Sequence, residues 1–427
     1  MTTTKNNEHK ELYFSSEREQ SQVCLNSAEH EKNQGRKVLN VPNLRFKEFQ
    51  GEWEEHLLGN ISDVTKLAGF EFTKYVTYED TGSIIAIRGL NCKNGSLDLR
   101  DVKYIDNSDF SKLSRSKLYV GDILYTYVGT VGEVAVVDKN DKYYLAPNVS
   151  RIRLSKDYNS DFIKQLLGSK KFYNKIVFPL IATSSQPALS MENLRRFKLR
   201  VPSIKEQNKI ASLFNAIDER IATQNKIIDK LQSLIKGIVD CTILRKEKNA
   251  IVGDVCSISE QIRAEANIDD IITVRLHGNG VCKSSAENLQ LGATQYYRRR
   301  AGQLIYGKQN FHNGAIGIVP ISLDNGITSK DIPSFDIDEM KCNSVYLLAQ
   351  LQSPQYYKPA EALTTGTGSK RLKEETFLKM PIVLPNKREQ DNIAVLFHRA
   401  SMNLDHAKRL LELLSIQKQF LLRQMFI

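Results

Sequence analysis

The sequence predicts an α+β chain that is built twice. A globular part of mixed strands and short helices leads into a long helix, and the pair then repeats. Three observations predict this. An apolar seam with alternating steps of four and three runs from Ile210 to Ile238, the spacing of a coiled-coil helix and not of an ordinary surface stripe. The same seam returns 183 residues later, from Ile393 to Leu421. The stretches ahead of each seam hold short β-type runs separated by Gly, Asn and Asp clusters, which read as strands and turns.

The first long helix is expected over residues 202–248. It opens Pro202-Ser203-Ile204-Lys205-Glu206, where Ser203 can cap the first turn and Glu206 can reach back, as in a capping box. The seam is Ile210, Phe214, Ile217, Ile221, Gln224, Ile228, Leu231, Ile235 and Ile238, with Gln224 its one polar member. A helix of about 40 residues is roughly 60 Å long, and its stripe needs a partner.

The partner is in the same chain, over residues 385–427. Pro385-Asn386-Lys387-Arg388-Glu389 repeats the opening, with Asn386 as cap and Glu389 as the reaching acid. The seam positions become Ile393, Phe397, Ala400, Leu404, Ala407, Leu411, Leu414, Lys418 and Leu421, broken only by Lys418. Seven of the thirteen residues from Pro202 to Phe214 are identical to their counterparts. Matched caps and identities together indicate an internal duplication.

Residues 1–40 are polar and aperiodic, as in a disordered or loosely docked arm. From Val41 the character changes, and Gly51-Glu52-Trp53-Glu54 carries the single tryptophan. Between there and Val201, Ser83–Ile87, Asp122–Tyr127 and Gly132–Val137 read as strands, and residues 161–175 read as one helix. The second half replays this order. Val252-Gly253-Asp254-Val255 echoes Leu58-Gly59-Asn60-Ile61, and Gly302-Gln303-Leu304-Ile305-Tyr306 echoes Gly121-Asp122-Ile123-Leu124-Tyr125. Residues 347–357 echo the helix near Leu166, and the polar loop at Thr365 echoes that at Thr183. The globular parts have drifted while the helices have kept register, as suits a protein that reads two different things at a fixed separation.

The 427 residues suggest two or three domains, with a net charge of +11 and a pI of about 9.1. That balance points to an acidic partner, most often nucleic acid, or to solubility alone. No apolar run is long enough for a membrane helix, and no secretory signal is visible, so the chain reads as cytoplasmic. Six scattered cysteines form no CxxC pair, which argues against zinc and disulfides and for buried thiols. Gly302 to Gln309 nearly spells a phosphate loop, but Gln309 replaces the Ser or Thr that would hold magnesium, and a turn comes next in place of a helix. Asp101-Val102-Lys103 and Glu339-Met340-Lys341 lack the partner acids of a two-metal nuclease. Neither a base-methylation loop nor a glycine-rich cofactor fingerprint is present, so the chain reads as non-catalytic, with no metal site and no cofactor of its own.

The opening Pro42-Asn43-Leu44-Arg45-Phe46 with Gly51-Glu52-Trp53-Glu54, the Leu58-Gly59-Asn60-Ile61 start, and the twice-repeated Pro-x-x-x-Glu-Gln helix head together resemble the specificity subunit of type I restriction–modification enzymes. The resemblance covers about residues 41–427. It implies two target-recognition domains with mixed sheets, 41–201 and 249–384, joined by two long spacer helices, 202–248 and 385–427, that form an antiparallel coiled coil with pseudo-twofold symmetry. It also implies that each domain binds half of a split site in double-stranded DNA. Two modification subunits carrying S-adenosylmethionine, and restriction subunits using ATP and magnesium, would join this scaffold. The first ~40 residues have no counterpart in the pattern.

Under that expectation, the candidate DNA-contacting residues are loop donors and cations. In the first head they are Arg88, Asn91, Lys93, Asn94, Tyr127, Thr130, Ser184, Ser185 and Gln186. In the second they are Arg275, His277 and Asn279, then Arg298, Arg299 and Arg300 beside Tyr296 and Tyr297, then Lys308 and Asn310, then Ser369, Lys370 and Arg371. Arginines pair with phosphates and guanine edges, and amides with adenine. Two rival readings are a coiled-coil adaptor whose heads bind proteins and a stand-alone nuclease or methyltransferase. The first leaves the basic loops unexplained, and the missing catalytic motifs oppose the second.

Overall fold

The computed structural model describes residues 40–67, 69–93, 95–182, 186–284, 294–366 and 370–427. The polar arm, except Asn40, lies outside the described residues. The fold is α+β, with two β-rich parts and two long helices packed together.

The first long helix spans Ile204–Val239 and continues as a wider turn over Asp240–Leu244; the second spans Lys387–Met425. They run antiparallel. Ile210, Ala211 and Phe214 at the start of the first pack with Leu422, Met425 and Phe426 at the end of the second. At the other end Val239 and Ile243 pack with Ile393 and Ala394. Midway, the Gln224 amide donates to the Ala407 carbonyl at 3.0 Å. Ala407 is the counterpart of Gln224 in the repeat, so the pseudo-twofold axis passes between them. Lys418, the other polar seam residue, meets Asp218 of the first helix at 2.5 Å. Each seam defect thus has a polar partner on the opposite helix, which favours one register over its slipped alternatives.

The helix heads differ from the expectation at three points: the Ser203 cap and both reaching acids. Asn386 caps its helix by accepting from the Glu389 amide at 3.0 Å, but the Ser203 side chain makes no cap bond. Glu206 does not reach back to Ser203. It is buried against Arg45, which donates to it at 2.7 and 2.8 Å, because the segment around Phe46 covers this helix end. Glu389 pairs across in the same way with Lys246. Each helix head is therefore tied to a segment that lies beside the end of the other helix. The Leu44 amide donates to the Gln424 carbonyl at 2.9 Å, and this closes the ring of contacts.

The two β-rich parts share a plan. In the first, an antiparallel four-stranded sheet has the order Ser62–Lys66, Val149–Leu154, Ile123–Thr126, Val134–Val136. In the second, the order is Cys256–Ile258, Ser334–Ile337, Leu304–Tyr306, Ile316–Ile318. Gly121 and Gly302 both adopt a left-handed backbone ahead of the inner strand, at φ of 89° and 87°. The strand then carries a buried tyrosine near its end, Tyr125 or Tyr306. Each part also holds two-stranded pairs and a three-stranded sheet. That of the first pairs Ile85–Ile87 antiparallel with Lys103–Tyr104 and parallel with Tyr143–Leu145. The helix expected over residues 161–175 is split. It runs Ser160–Leu167, stops at Gly168, and restarts as Lys170–Phe172 under a Ser169 cap.

The glutamine repeated in each helix head explains how a head sits on its helix. Gln207 and Gln390 are each 1% exposed. Gln207 donates to the Pro202 carbonyl and accepts from the Asn159 amide, both at 2.9 Å. Gln390 donates to the carbonyls of Pro385 and Lys341 and accepts from the Asn343 amide at 2.9 Å. Asn159 and Asn343 are the N-caps of the equivalent head helices Ser160–Leu167 and Ser344–Leu351. Their side chains also donate, at 2.8 Å, to Asn208 and Asp391.

Candidate nucleic-acid interface

In the first head the fold gathers several predicted residues around one cleft. The strand Ile85–Ile87 ends in a short turn, Gly89–Asn91, that projects Arg88 and Lys93. The strand Ile123–Thr126 leads into a loop that supplies Thr130. Arg88, Lys93, Thr130 and Gln186 line the cleft together with Phe72, Tyr78 and Asn148, and its volume is about 650 Å³. That is the size of a small-ligand site. Arg88 is held by Asp101 at 2.9 Å. Burial raises the Tyr78 and Tyr127 phenols above their ordinary range, so both remain neutral donors at physiological pH. Tyr127 sits beside the cleft, its amide bonded to the Asn148 carbonyl at 3.1 Å.

Sequence reasoning missed Phe72, Tyr78 and Asn148. The available signal was Ala146-Pro147-Asn148, a turn sequence; Asn148 takes a left-handed φ of 71°. Asn91 is a correction. It is fully buried, accepts from the Arg88 amide and donates to the Asp98 and Asp101 carbonyls. Its amide is consumed in closing the loop and cannot read a base. Asn94, Ser184 and Ser185 lie outside the described residues.

In the second head, two loops are stitched together by backbone bonds. Arg275, His277 and Asn279 form the tip between Ile272–Val274 and Val281–Lys283, and all three are exposed. The His277 amide donates to the Asn313 carbonyl at 2.7 Å and the Gly278 amide to the Gly314 carbonyl at 2.9 Å. Gly314 must be glycine. Its φ is 75°, and a Cβ there would lie 2.9 Å from the Tyr357 ring. This turn comes just after Lys308 and Asn310. Lys308 is mostly buried in an ion pair with Glu374 at 2.7 Å, and its carbonyl accepts from the Leu372 amide, which brings Arg371 alongside. Arg371 pairs with Asp331 at 3.3 Å and Lys370 with Glu361 at 3.1 Å. The near-phosphate-loop ends in this turn and forms no cradle.

Arg299 is the second correction. It is fully buried and donates to Thr328, Gln261, Ser334 and the Ile332 carbonyl. Burial lowers its pKa to about 10, which still leaves it charged at neutral pH. It pins the chain that carries Asp331 and does not face solvent. Its neighbours Arg298 and Arg300 are exposed. Ser369 lies outside the described residues. Among the described residues, no group of three or more His, Cys, Asp or Glu side chains could hold a metal ion, and no helix is long and apolar enough to cross a membrane.

Comparison with known proteins adds independent support. Residues 50–233 match the family model described as the type I restriction modification DNA specificity domain. A Methanocaldococcus jannaschii chain assigned as the MjaX type I restriction enzyme specificity subunit is 22% identical over 48% of this chain and 48% of its own length. The Escherichia coli type I restriction enzyme EcoKI specificity subunit is 24% identical over 36% of this chain and 35% of its own. These alignments thus span less than half of each curated relative. A solved type I restriction–modification S subunit from M. genitalium shares the fold at a TM-score of 0.62 and 13% identity, covering 91% of this chain and 99% of that one.

Proposed function

Because residues 50–233 match the type I restriction modification DNA specificity domain, we propose that the chain is the DNA-reading subunit of such a complex. Residues 41–201 and 249–384 act as two target-recognition domains, each taking one half of a bipartite site, and the helical pair holds them a fixed distance apart. The observation that carries this reading is the form of the internal repeat. The attachments between head and helix are the same at both ends, whereas the loops that face outward differ in chemistry. One head presents a cleft with aromatic and amide lining, and the other a patch of ion-paired cations. Such a molecule delivers two unlike readers in one geometry.

The chain supplies no chemistry in this scheme. Two modification subunits dock on the helical pair and bring S-adenosylmethionine and the catalytic groups. Restriction subunits bring ATP- and magnesium-dependent steps. The complex works in the cytoplasm, where its DNA substrate is. The exposed Arg275, Arg298, Arg300 and Lys370 would meet phosphates or guanine edges, and their contribution to affinity would fall as salt rises.

Methylation mapping in a host that expresses this chain with its partner subunits tests the reading. The expected result is one split motif with modified adenine in each half. Exchange of residues 249–384 for the second head of a relative should change one half only. Absence of any new methylated motif, or a change in both halves by a folded hybrid, refutes the proposal.

A further inference from the structure

A further concentration of positive charge lies where the first head meets the end of the second long helix. Two adjoining clefts there share Ser169 and Lys171. Lys170 and Arg423 line one, and Lys175, Lys198 and Arg200 line the other. Glu55 is the one side-chain carboxylate among the lining residues, and Lys198 at 3.1 Å and Arg200 at 3.5 Å already engage it. Among the described residues, Lys170, Lys171, Lys175 and Arg423 form no ion pair, and Lys171 donates to the Phe426 carbonyl at 3.1 Å. Burial, and then the charges of Lys175 and Arg200, hold the Lys171 pKa below the ordinary lysine value, as befits a cation that lacks an anion. The repeat shows that this charge is no by-product of the scaffold. At the offset of 184 that relates Ser353 to Ser169, Lys170, Lys171 and Lys175 become Pro354, Gln355 and Pro359. At the offset of 183, Lys198, Arg200 and Arg423 become Pro381, Val383 and Asp240. The six positions therefore carry no cation at the other end, which gains one, Lys358 in place of Asn174.

Resting on the reading that a DNA duplex spans both heads, we propose that this patch grips the phosphate backbone of double-stranded DNA on the side of the first half-site, without reading sequence. The pseudo-equivalent place on the second side has no such grip. Four of the six cations are lysines, a residue that protein–protein interfaces are poor in and that phosphates accept as a point charge. Cations without a protein partner suit phosphates best, because each contact releases a condensed counterion and breaks no ion pair. The patch also borders the first-head cleft. Tyr173, between Lys171 and Lys175, lies so close to Gly132 that a Cβ there would sit 2.8 Å from its ring, and Thr130 and Glu133 on either side of Gly132 line that cleft. Helix geometry gives the position along the scaffold. Arg423 lies 16 residues beyond Ala407, about 24 Å from the pseudo-twofold axis. On a duplex parallel to the helices that is about seven base pairs from the centre.

The test uses the complete complex with its partner subunits and a duplex carrying the split motif that methylation mapping identifies. The variant is Lys170→Gln with Lys175→Gln and Arg423→Gln, three exposed side chains; Lys171 stays because it ties the Phe426 backbone. Fluorescence of Trp53, with the Phe426 ring at 6.3 Å, checks that the head stays folded. Loss of three phosphate contacts should lower the slope of log affinity against log salt by about 2.7, so the affinity lost between about 50 and 200 mM salt should shrink about fortyfold. Specific and unrelated duplexes should weaken alike and the methylated motif should not change, since phosphate contacts carry no sequence information. Phosphate-ethylation interference should map contacts about seven base pairs from the spacer centre, beside the half-motif that survives exchange of residues 249–384, and the variant should lose them. An unaltered slope in a variant complex that still recognises its motif, or equal interference at the mirrored phosphates, would overturn the proposal. So would loss of a partner subunit from the variant complex, counted by native mass spectrometry, since the patch would then hold an acidic protein surface. Failure of the unaltered complex to bind any split motif would overturn the specificity-subunit reading and this proposal with it.

Discussion

Three glutamines of the helical pair, Gln207, Gln224 and Gln390, are buried, and one substitution distinguishes their roles. Gln207→Leu removes the acceptor for the Asn159 amide and the donor to the Pro202 carbonyl, each bonded at 2.9 Å. A buried polar group left without a partner costs about 1–3 kcal/mol, so the two together cost about 2–6 kcal/mol. With a urea dependence of about 2 kcal/mol per molar, the unfolding midpoint falls by about 1–3 M. Trp53 is the natural reporter. It is 2% exposed, with the ring of Phe162 at 5.7 Å and that of Phe426 at 6.3 Å. Phe162 lies in the helix that Asn159 caps, so tryptophan fluorescence follows the first head. Gln390→Leu should cost as much in the second head while shifting the Trp53 transition less. Gln224→Leu differs in sign. Gln224 makes one bond, to a helix-interior carbonyl at 3.0 Å that keeps its own helical partner, and leucine continues the seam. That variant should unfold within about 1 kcal/mol of the unaltered chain, on the more stable side. A Gln207→Leu shift under about 0.3 M, or an equal Trp53 shift from Gln390→Leu, would refute the clamp role given to Gln207.

Arg298→Ala should leave stability within about 0.5 kcal/mol and weaken DNA binding by the assembled complex, lowering the salt slope by about 1. Arg299→Met should instead destabilise the second head by about 3 kcal/mol by stranding its buried partners; denaturation and salt titration of the two variants separate these effects. Insertion of four residues after Lys230 adds about 6 Å, close to one helical turn, and rotates the remainder of the helix by only about 40°, so the seam survives as a stutter. Methylation mapping should find both half-sequences unchanged and one or two base pairs farther apart, and an unchanged spacer in an active variant would mean that the helices do not set the distance.

The long helices were legible because a 4-3 seam is a local pattern that only one structure satisfies. The cap at Ser203 was not, because its failure depends on Arg45, 161 residues upstream of Glu206. A capping box is a rule about neighbours, and a distant guanidinium paired with the buried Glu206 carboxylate outcompetes it. The three-stranded sheet of the first head was equally hidden. Its strands have two or three residues, and one pairing is parallel, which no hairpin signal announces. The arginine run shows the limit for site residues. Arg298, Arg299 and Arg300 look alike in sequence, yet strand alternation and the cover from Thr328, Ile332 and Ser334 bury only the middle one. Asn91 was misjudged for a related reason: loop amides close turns as readily as they read bases.

The internal comparison separates attachment from recognition without any other sequence. Positions that fix a head to its helix kept both residue type and bond: Gln207 with Asn159 matches Gln390 with Asn343. Gly59 and Gly253, which admit the backbone of a short head helix at Arg195 and Leu378, kept the residue type and the close approach. A second class kept the position but changed the chemistry. Asp122 pairs with Arg153 at 2.7 Å, and the equivalent Gln303 donates to Asp336 at 2.9 Å, so the sheet is cross-linked in the same place by a different bond. The third class changed in the groups it presents. The loop that begins Tyr127-Val128-Gly129 beside the first cleft becomes Lys308-Gln309-Asn310 in the second head, and Lys308 turns inward to Glu374. The three classes run from the helix outward. A pseudo-twofold scaffold with equivalent clamps at both ends forces the two outer surfaces toward equivalent places on a partner, so any difference in what they bind must come from that third class. For a DNA duplex this means two half-sites related by the same pseudo-twofold axis that passes between Gln224 and Ala407, read by unlike loops.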